Sequence, residues 1–340
     1  MRTLTSWMAS VFGTLALAIP LATAAAAQDK VKVGVFPVAS SLPYFVALDR
    51  GYFKEQNIEV ETVRLIGGPP TVAALIADQI DAAAVLVTLE GMNANIKKPG
   101  CAIYISLNSQ SQKYPMEQFV VREGFQAKSL KDLKGAKILS APGPGNVLMA
   151  KAALEASGLK EGDYRLEQLD TAQHLGALKA GTFDAGYTLE PNATVMRKQG
   201  VATTLENGVI ARYVLGNPQA NAFVGGGVLS SRFINERPDV ARRYAAAWLR
   251  AVKEIQKDPE GARRHLLKNT LTPDDVVGDV PMLGYFTVGE LTDANKKEFQ
   301  QFIDSTWSDG SSDPCSNPLR IGPFLFRQQE ISPMRLTDIG

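Results

Sequence analysis

Two stretches of the chain repeat one another, and a repeat of this kind leaves few folds open. Ala74-Leu75-Ile76-Ala77-Asp78-Gln79-Ile80-Asp81-Ala82-Ala83 is echoed by Ala177-Leu178-Lys179-Ala180-Gly181-Thr182-Phe183-Asp184-Ala185-Gly186. Each reads as the last turn of a helix, a two-residue break, an Asp, and a short run of small or apolar residues. The runs end alike, at Thr88-Leu89-Glu90 and Thr188-Leu189-Glu190. A helix tail that feeds a buried strand needs small residues where the two cross, and a polar residue at the turn to satisfy freed backbone groups. One copy is an ordinary helix-to-strand unit. Two copies predict two similar α/β lobes in one chain.

A leader precedes the lobes. Residues 1–27 read as a secretory signal. Arg2 is the only charge there, an apolar run extends from Trp7 to Leu21, and Ala24 to Ala27 offers small residues for cleavage after Ala27. The run is shorter than the roughly 20 apolar residues of a membrane helix. No Cys stands at the cleavage site for a lipid anchor, and no twin-Arg pair is present, so the chain is expected to cross the membrane unfolded. The sequence has 36 Lys and Arg against 35 Asp and Glu, and removing Arg2 with the leader leaves 35 of each. Such a balance provides no electrostatic footprint for nucleic acid. The two cysteines, Cys101 and Cys315, can pair in an oxidising compartment or stand as separate thiols. With His174 and His265 they match no zinc spacing, so neither metal nor cofactor is expected.

The first lobe reads in order as a strand at Val31–Phe36, a small-residue loop at Pro37–Pro43, a helix at Tyr44–Arg50, and a strand at Ile58–Leu65. A Gly67-Gly68-Pro69-Pro70 turn then opens a helix to about Asp78, and Ala82–Val87 is a third, doubly buried strand. The second lobe repeats the order: strand Ala136–Ala141, turn Pro142-Gly143-Pro144-Gly145, helix Asn146–Ser157, strand Tyr164–Leu169, a helix to about Ala180, and strand Phe183–Tyr187. Asn108–Phe119 and Ala222–Leu229 are the expected crossovers. From Ser231 the chain is mostly helical, with Tyr244, Trp248, Val252 and Ile255 forming the core stripe of a helix at Pro238–Lys257. Helices are also expected at Pro259–Lys268 and Thr292–Trp307. The domains predicted are 28–110 with 222–340 as one discontinuous lobe and 111–221 as the other.

Six short runs carry a resemblance. They are Leu42-Pro43-Tyr44-Phe45-Val46-Ala47, Gly51-Tyr52-Phe53-Lys54, Asn57-Ile58-Glu59-Val60, Asp78-Gln79-Ile80-Asp81-Ala82, Asp132-Leu133-Lys134-Gly135 and Ala180-Gly181-Thr182-Phe183-Asp184-Ala185. In this order, residues 31 to about 307 resemble a periplasmic solute-binding protein of an ABC importer, in the branch that covers nitrate, sulfonate and thiamine-precursor binding proteins. The resemblance implies a type II two-lobe periplasmic binding protein fold, with two crossover segments and a ligand closed in the cleft between the lobes. It further implies a monomer that hands a small solute to a permease and its ATPase subunit. The family often has Gly where this chain has Gln56 and Asp78. The tail beyond Trp307 matches nothing in the family pattern.

In open α/β sheets, ligands lie beyond the carboxyl ends of the strands. The turns there are Val38–Tyr44, Ile66–Pro70, Thr88–Gly91, Pro142–Asn146 and Thr188–Pro191. Helix starts present free N–H groups that favour anions. One such end is worth at most about 2 kcal/mol, whereas micromolar capture takes roughly 8 kcal/mol, so turns from both lobes must act together. The candidate ligand contacts are Ser40, Ser41, Tyr44, Gly68, Pro69, Thr88, Gln110, Pro144, Gly145, Asn146, Glu190 and Asn221. Each has a plainer role beside the functional one. Ser40 and Ser41 can cap a helix, Tyr44 can be core, and Gln110 and Asn221 can be hinge residues. Glu90 and Glu190 could bind a cationic or hydroxylated ligand, or Glu190-Pro191 can steer the chain out of its strand. His174, early in a helix, reads as a capping or surface residue. Few Arg residues lie near the turns, which points to a monoanion or a neutral heterocycle, such as a sulfonate, another small anion, or a pyrimidine or aromatic compound. An enzyme or a sensor domain on the same fold is the alternative. No Ser-His-Asp order, HExxH, GxGxxG or Walker pattern is present.

Overall fold

The echoed Asp residues have one structural cause. A computed structural model describes residues 27–270 and 272–306; the leader up to residue 26, Cys315 and the tail from Trp307 lie outside the described residues. In each lobe the echoed Asp clamps the first strand of the parallel core, Asp29–Val35 or Lys137–Ser140. The Asp81 N–H donates to the Lys32 carbonyl at 2.9 Å, and its Oδ2 accepts from the Lys32 N–H at 3.0 Å. The Asp184 N–H donates to the Lys137 carbonyl at 2.8 Å, and its Oδ2 accepts from the Lys137 N–H at 3.0 Å. The second carboxylate oxygen takes a guanidinium in both cases, from Arg232 at 2.7 Å and from Arg122 at 3.2 Å. The turn before the clamp needs a left-handed residue. Gly181 supplies it at φ 70°, while Asp78 adopts φ 56° with its carboxylate paired to Lys98 and Arg232.

The strands are β1 (Asp29–Val35), β2 (Ile58–Arg64), β3 (Ala82–Val87), β4 (Ile103–Tyr104), β5 (Ser106–Gln110), β6 (Glu117–Arg122), β7 (Lys137–Ser140), β8 (Arg165–Gln168), β9 (Ala185–Leu189), β10 (Ala202–Asn207), β11 (Ala222–Leu229) and β12 (Gly284–Thr287). They form two sheets. The first runs β12-β5-β11-β3-β1-β2, with β4 on β11; the second runs β10-β6-β9-β7-β8. Each sheet has a parallel core of three strands, β2-β1-β3 and β8-β7-β9. The next strand in each is antiparallel and is the first one laid down after the chain changes sheets, β11 and β6. The last strand before each change, β5 or β10, then pairs with that newcomer. The chain therefore passes between sheets twice, through 111–116 and through 208–221.

The Pro238–Lys257 helix closes the first sheet as its apolar stripe requires. Tyr244 stacks on Phe53 with ring centroids 4.8 Å apart, and the buried Trp248 indole donates to Ser106 Oγ at 2.9 Å. A fully buried side chain of this size contributes roughly 2–3 kcal/mol, and the hydrogen bond removes the cost of the buried N–H. Gly227 lies under the indole, where a Cβ would overlap the ring.

Local expectations fail where tertiary pairing decides. Asn108–Phe119 is not one crossover but the ends of β5 and β6 in different sheets, joined by 111–116. Thr88 opens a helix, Thr88–Lys97, where the sequence reads only a turn. Its echo at Thr188 stays in a strand. His174 is neither cap nor surface. It is buried, with Nδ1 against Thr188 Oγ1 at 2.8 Å and Nε2 against the Leu169 carbonyl at 3.0 Å, and burial pulls its pKa down to about 4. Cys101 is buried and forms no disulfide among the described residues; the other cysteine, Cys315, lies outside them. No described helix is long and apolar enough to cross a membrane.

Candidate functional site

Both parallel cores point their carboxyl ends at one cavity. It is walled by Ser40, Gly68, Asn108 and Gln110 from the first sheet's side and by Met116, Glu117, Asn146 and Leu189 from the second's. Its volume is about 40 Å³, space for a few water-sized groups.

Beside it sits a carboxylate from one side held by the other. Glu90 is in the first turn of the Thr88–Lys97 helix. Its Oε1 accepts from the Gly145 N–H at 3.0 Å, at the start of the Pro144–Ala156 helix. Three glycines make this approach possible. A Cβ at Gly68 would land on the Glu90 carboxylate; one at Gly143 or Gly145 would come within 2.9 or 3.2 Å of Oε1. Gly68 and Gly145 begin helices that face one another across the cleft, so Glu90 lies where two helix starts converge. Burial nonetheless pushes its pKa up to about 7, against the Gly145 hydrogen bond.

Further bonds join the two sides. The Ala39 N–H donates to the Glu190 carbonyl at 3.1 Å, and Lys198 Nζ pairs with Asp279 Oδ2 at 2.6 Å on the outer rim. Two more buried acids belong to the second side. Glu117 opens β6 and is pushed up to about 8 by burial. Glu190 is raised to about 7 by burial, opposed by Arg197.

The expected site residues divide into three groups. Ser40, Gly68, Gln110 and Asn146 line the cavity, and Gly145 binds Glu90 beside it. Pro69 and Pro144 are exposed at the helix starts, with Pro69 next to Gly143. Ser41, Tyr44, Thr88, Glu190 and Asn221 turn their polar atoms into the fold. Ser41 Oγ donates to the Phe36 carbonyl at 2.6 Å, and the Tyr44 hydroxyl meets Thr62 Oγ1 at 2.6 Å. Thr88 Oγ1 donates to the Phe223 carbonyl at 2.9 Å. Glu190 accepts from the Gln118 amide and from the Thr194 N–H at 3.2 Å. Asn221 Oδ1 accepts from Ser109 Oγ at 2.7 Å. Asn108, Met116, Glu117 and Leu189 also wall the cavity and are absent from the sequence-derived set. Glu117, heading Glu117-Gln118-Phe119-Val120-Val121, carries no local sign in the sequence that its carboxyl is buried.

Two lobes, each a three-stranded parallel core completed by a strand from the crossing chain, with a cavity between them, define the type II two-lobe periplasmic binding protein fold. The solved structures agree. The alkanesulfonate-binding protein SsuA from Xanthomonas axonopodis pv. citri, bound to MOPS, superposes with a TM-score of 0.63 at 20% identity over 81% of this chain and 91% of that one. A ligand-binding component of an ABC-type import system from Staphylococcus aureus gives 0.68 at 15% identity over 88% and 97%. The chain belongs to the NMT1/THI5 like family, whose model matches residues 39–262. A curated relative, riboflavin-binding protein RibY of Chloroflexus aurantiacus, is 24% identical over 267 residues, 75% of this chain and 69% of its own length.

Proposed function

We propose that the chain is the extracytoplasmic solute-binding receptor of an ABC importer. It captures one small organic solute between its lobes and presents the closed form to a permease with its ATPase subunit. Residues 28–110 with 222–340 make one lobe and 111–221 the other, and the chain works in the periplasm as a monomer after loss of its leader. Binding, without catalysis, is its task. One observation carries this reading: the cavity is lined by residues from both sheets, among them strand ends and helix starts of each, so a solute there touches both only when they are together. Family membership and the ABC-import and sulfonate-binding neighbours support it. Ser40, Gly68, Gln110 and Asn146 are proposed as ligand contacts, with Gly145 and Pro69 shaping the helix starts around them.

The test is a thermal-shift screen of the mature chain against small sulfonates, other small anions, pyrimidines, aromatic acids and amines, followed by small-angle scattering with each hit. One solute class should raise Tm by several degrees and reduce the radius of gyration. A solute that raises Tm but is converted to product, or that leaves the scattering unchanged, overturns the receptor reading.

A further inference from the structure

The polar atoms around the cavity are unequally used. The Asn108 amide donates to the Ser40 carbonyl at 2.8 Å, and the Asn146 amide donates to the Pro142 carbonyl at 2.7 Å. The Gly145 N–H at the facing helix start, which would otherwise greet an anion, is taken by Glu90. The acceptors are left over. Glu90 Oε2, Asn108 Oδ1 and Glu117 Oε2 are buried and accept no hydrogen bond from any described residue. The three side chains are 8%, 3% and 5% exposed, so solvent does not serve them freely. Among the residues that line the cavity there is no Lys, Arg or His. A buried acceptor without a donor costs roughly 1–3 kcal/mol, and more when charged. Two of them line one cavity and the third lies beside it, a standing demand for donors and for positive charge.

We infer that the cleft selects a small cation rich in N–H donors, an ammonium, amidinium or guanidinium group, received by Glu117 and Asn108 in the cavity with Glu90 behind them. The inference rests on the receptor reading and narrows it to one solute chemistry. A cavity of about 40 Å³ holds only a small head group, and any larger remainder of the solute would lie toward the cleft mouth.

Binding is then coupled to protons. Burial raises Glu117 to about 8 and Glu90 to about 7, so near neutral pH both are partly protonated. The titratable group facing Glu117 is the buried Tyr187 hydroxyl on β9, and the one facing Glu90 is the buried Tyr104 hydroxyl; both are held far above neutrality and stay uncharged. Gln110 from β5 completes the contacts of Glu117. A cation favours the ionised carboxylates, so it expels a proton on entry and binds more tightly as pH rises.

The mature chain is titrated calorimetrically with methylguanidinium, acetamidinium, methylammonium, methanesulfonate and a neutral pyrimidine, from pH 6 to pH 8.5. At least one cation should bind about tenfold more tightly at pH 8.5 than at pH 6, with proton release read from buffers of different ionisation enthalpy. Glu117→Gln should reduce the pH dependence to the part that Glu90 supplies and weaken that cation at least tenfold. If this variant does not fold, the wild-type proton release decides alone. Binding of methanesulfonate or the pyrimidine with no cation bound overturns the inference and leaves the receptor standing. Cation binding that is flat with pH and releases no proton also overturns it. If no compound of any class binds or closes the lobes, the receptor reading falls with it.

Discussion

Glu117 shows what a residue can reveal before any ligand is known. Its strand neighbours are apolar or paired, and its carboxyl is buried without a donor on one oxygen. The folded-state pKa, about 8, stands above the ordinary 4.5, so between those values folding takes up a proton and stability falls as pH rises. Below the lower value both states are protonated and the penalty vanishes. Each pH unit across that window corresponds to about 1.4 kcal/mol. Urea unfolding should therefore find Glu117→Gln close to wild type at pH 5 and about 2–4 kcal/mol more stable than wild type at pH 8. A constant difference across that range would mean that the carboxyl is solvated. His174 has the opposite sign. Its folded value, about 4, lies below the ordinary 6.5, so its stabilising contribution is complete above pH 6.5 and is lost as pH falls toward 4. His174→Gln should flatten the acid limb of the stability profile over that window. Neither residue was legible in the sequence. Glu117 looks like one polar letter at a crossover, and His174 looks like a helix-start residue. Their burial is set by β9 and by the facing lobe, which no local pattern encodes.

The elements were read better than the sites, and the reason is visible in the echo. Ala82–Val87 appears in the structure with the bounds read from its apolar run, because a strand buried on both faces announces itself. The Pro238–Lys257 helix appears likewise, because Tyr244 and Trp248 repeat at helical spacing. β12 and β10 were not read as strands. They are edge strands whose membership depends on β5 and β6 alone. The echo itself encodes a clamp rather than a binding site. Asp184 ties β7 to the turn before β9 through two backbone bonds and holds Arg122 at the end of β6. Removing the carboxylate in Asp184→Ala leaves the Lys137 N–H without its acceptor, which should cost about 1–3 kcal/mol. The Arg122 pair is about a third exposed on both sides, so a double-mutant cycle of Asp184→Ala with Arg122→Ala should return a coupling below about 1 kcal/mol. A larger coupling would make the ion pair, and not the backbone clamp, the reason for the repeated Asp.

At the scale of the molecule, the question is what holds the lobes together. Among the described residues few bonds cross the cleft, and they differ in kind. Lys198 and Asp279 are half exposed, and such a pair contributes less than about 1 kcal/mol and weakens in salt. The Ala39 bond to the Glu190 carbonyl uses two backbone groups that water could also satisfy. Glu90 is different, because it fills a buried notch formed by Gly68 on its own lobe and by Gly143 and Gly145 on the other. It is an internal carboxylate set where two helix starts meet, and its neutral and ionised forms are near balance at pH 7. If that contact latches the closed form, displacing it must open the molecule. Gly68→Ala does so by sterics alone: φ at Gly68 is unexceptional for a helix start, but the new Cβ would occupy the carboxylate's place. Unliganded wild type is then a mixture of open and latched forms that solute shifts to closed, and scattering of the unliganded variant should show a larger radius of gyration than wild type at the same pH, with its thermal unfolding midpoint lowered by only a few degrees. Gly145→Ala attacks the same contact from the second lobe, where its Cβ meets Val87 as well as Glu90, and it should open the molecule in the same way. Lys198→Ala should leave the radius unchanged in moderate salt. If the two glycine variants stay as compact as wild type while Lys198→Ala opens, closure is governed at the rim, and Glu90 is a passenger in the cleft.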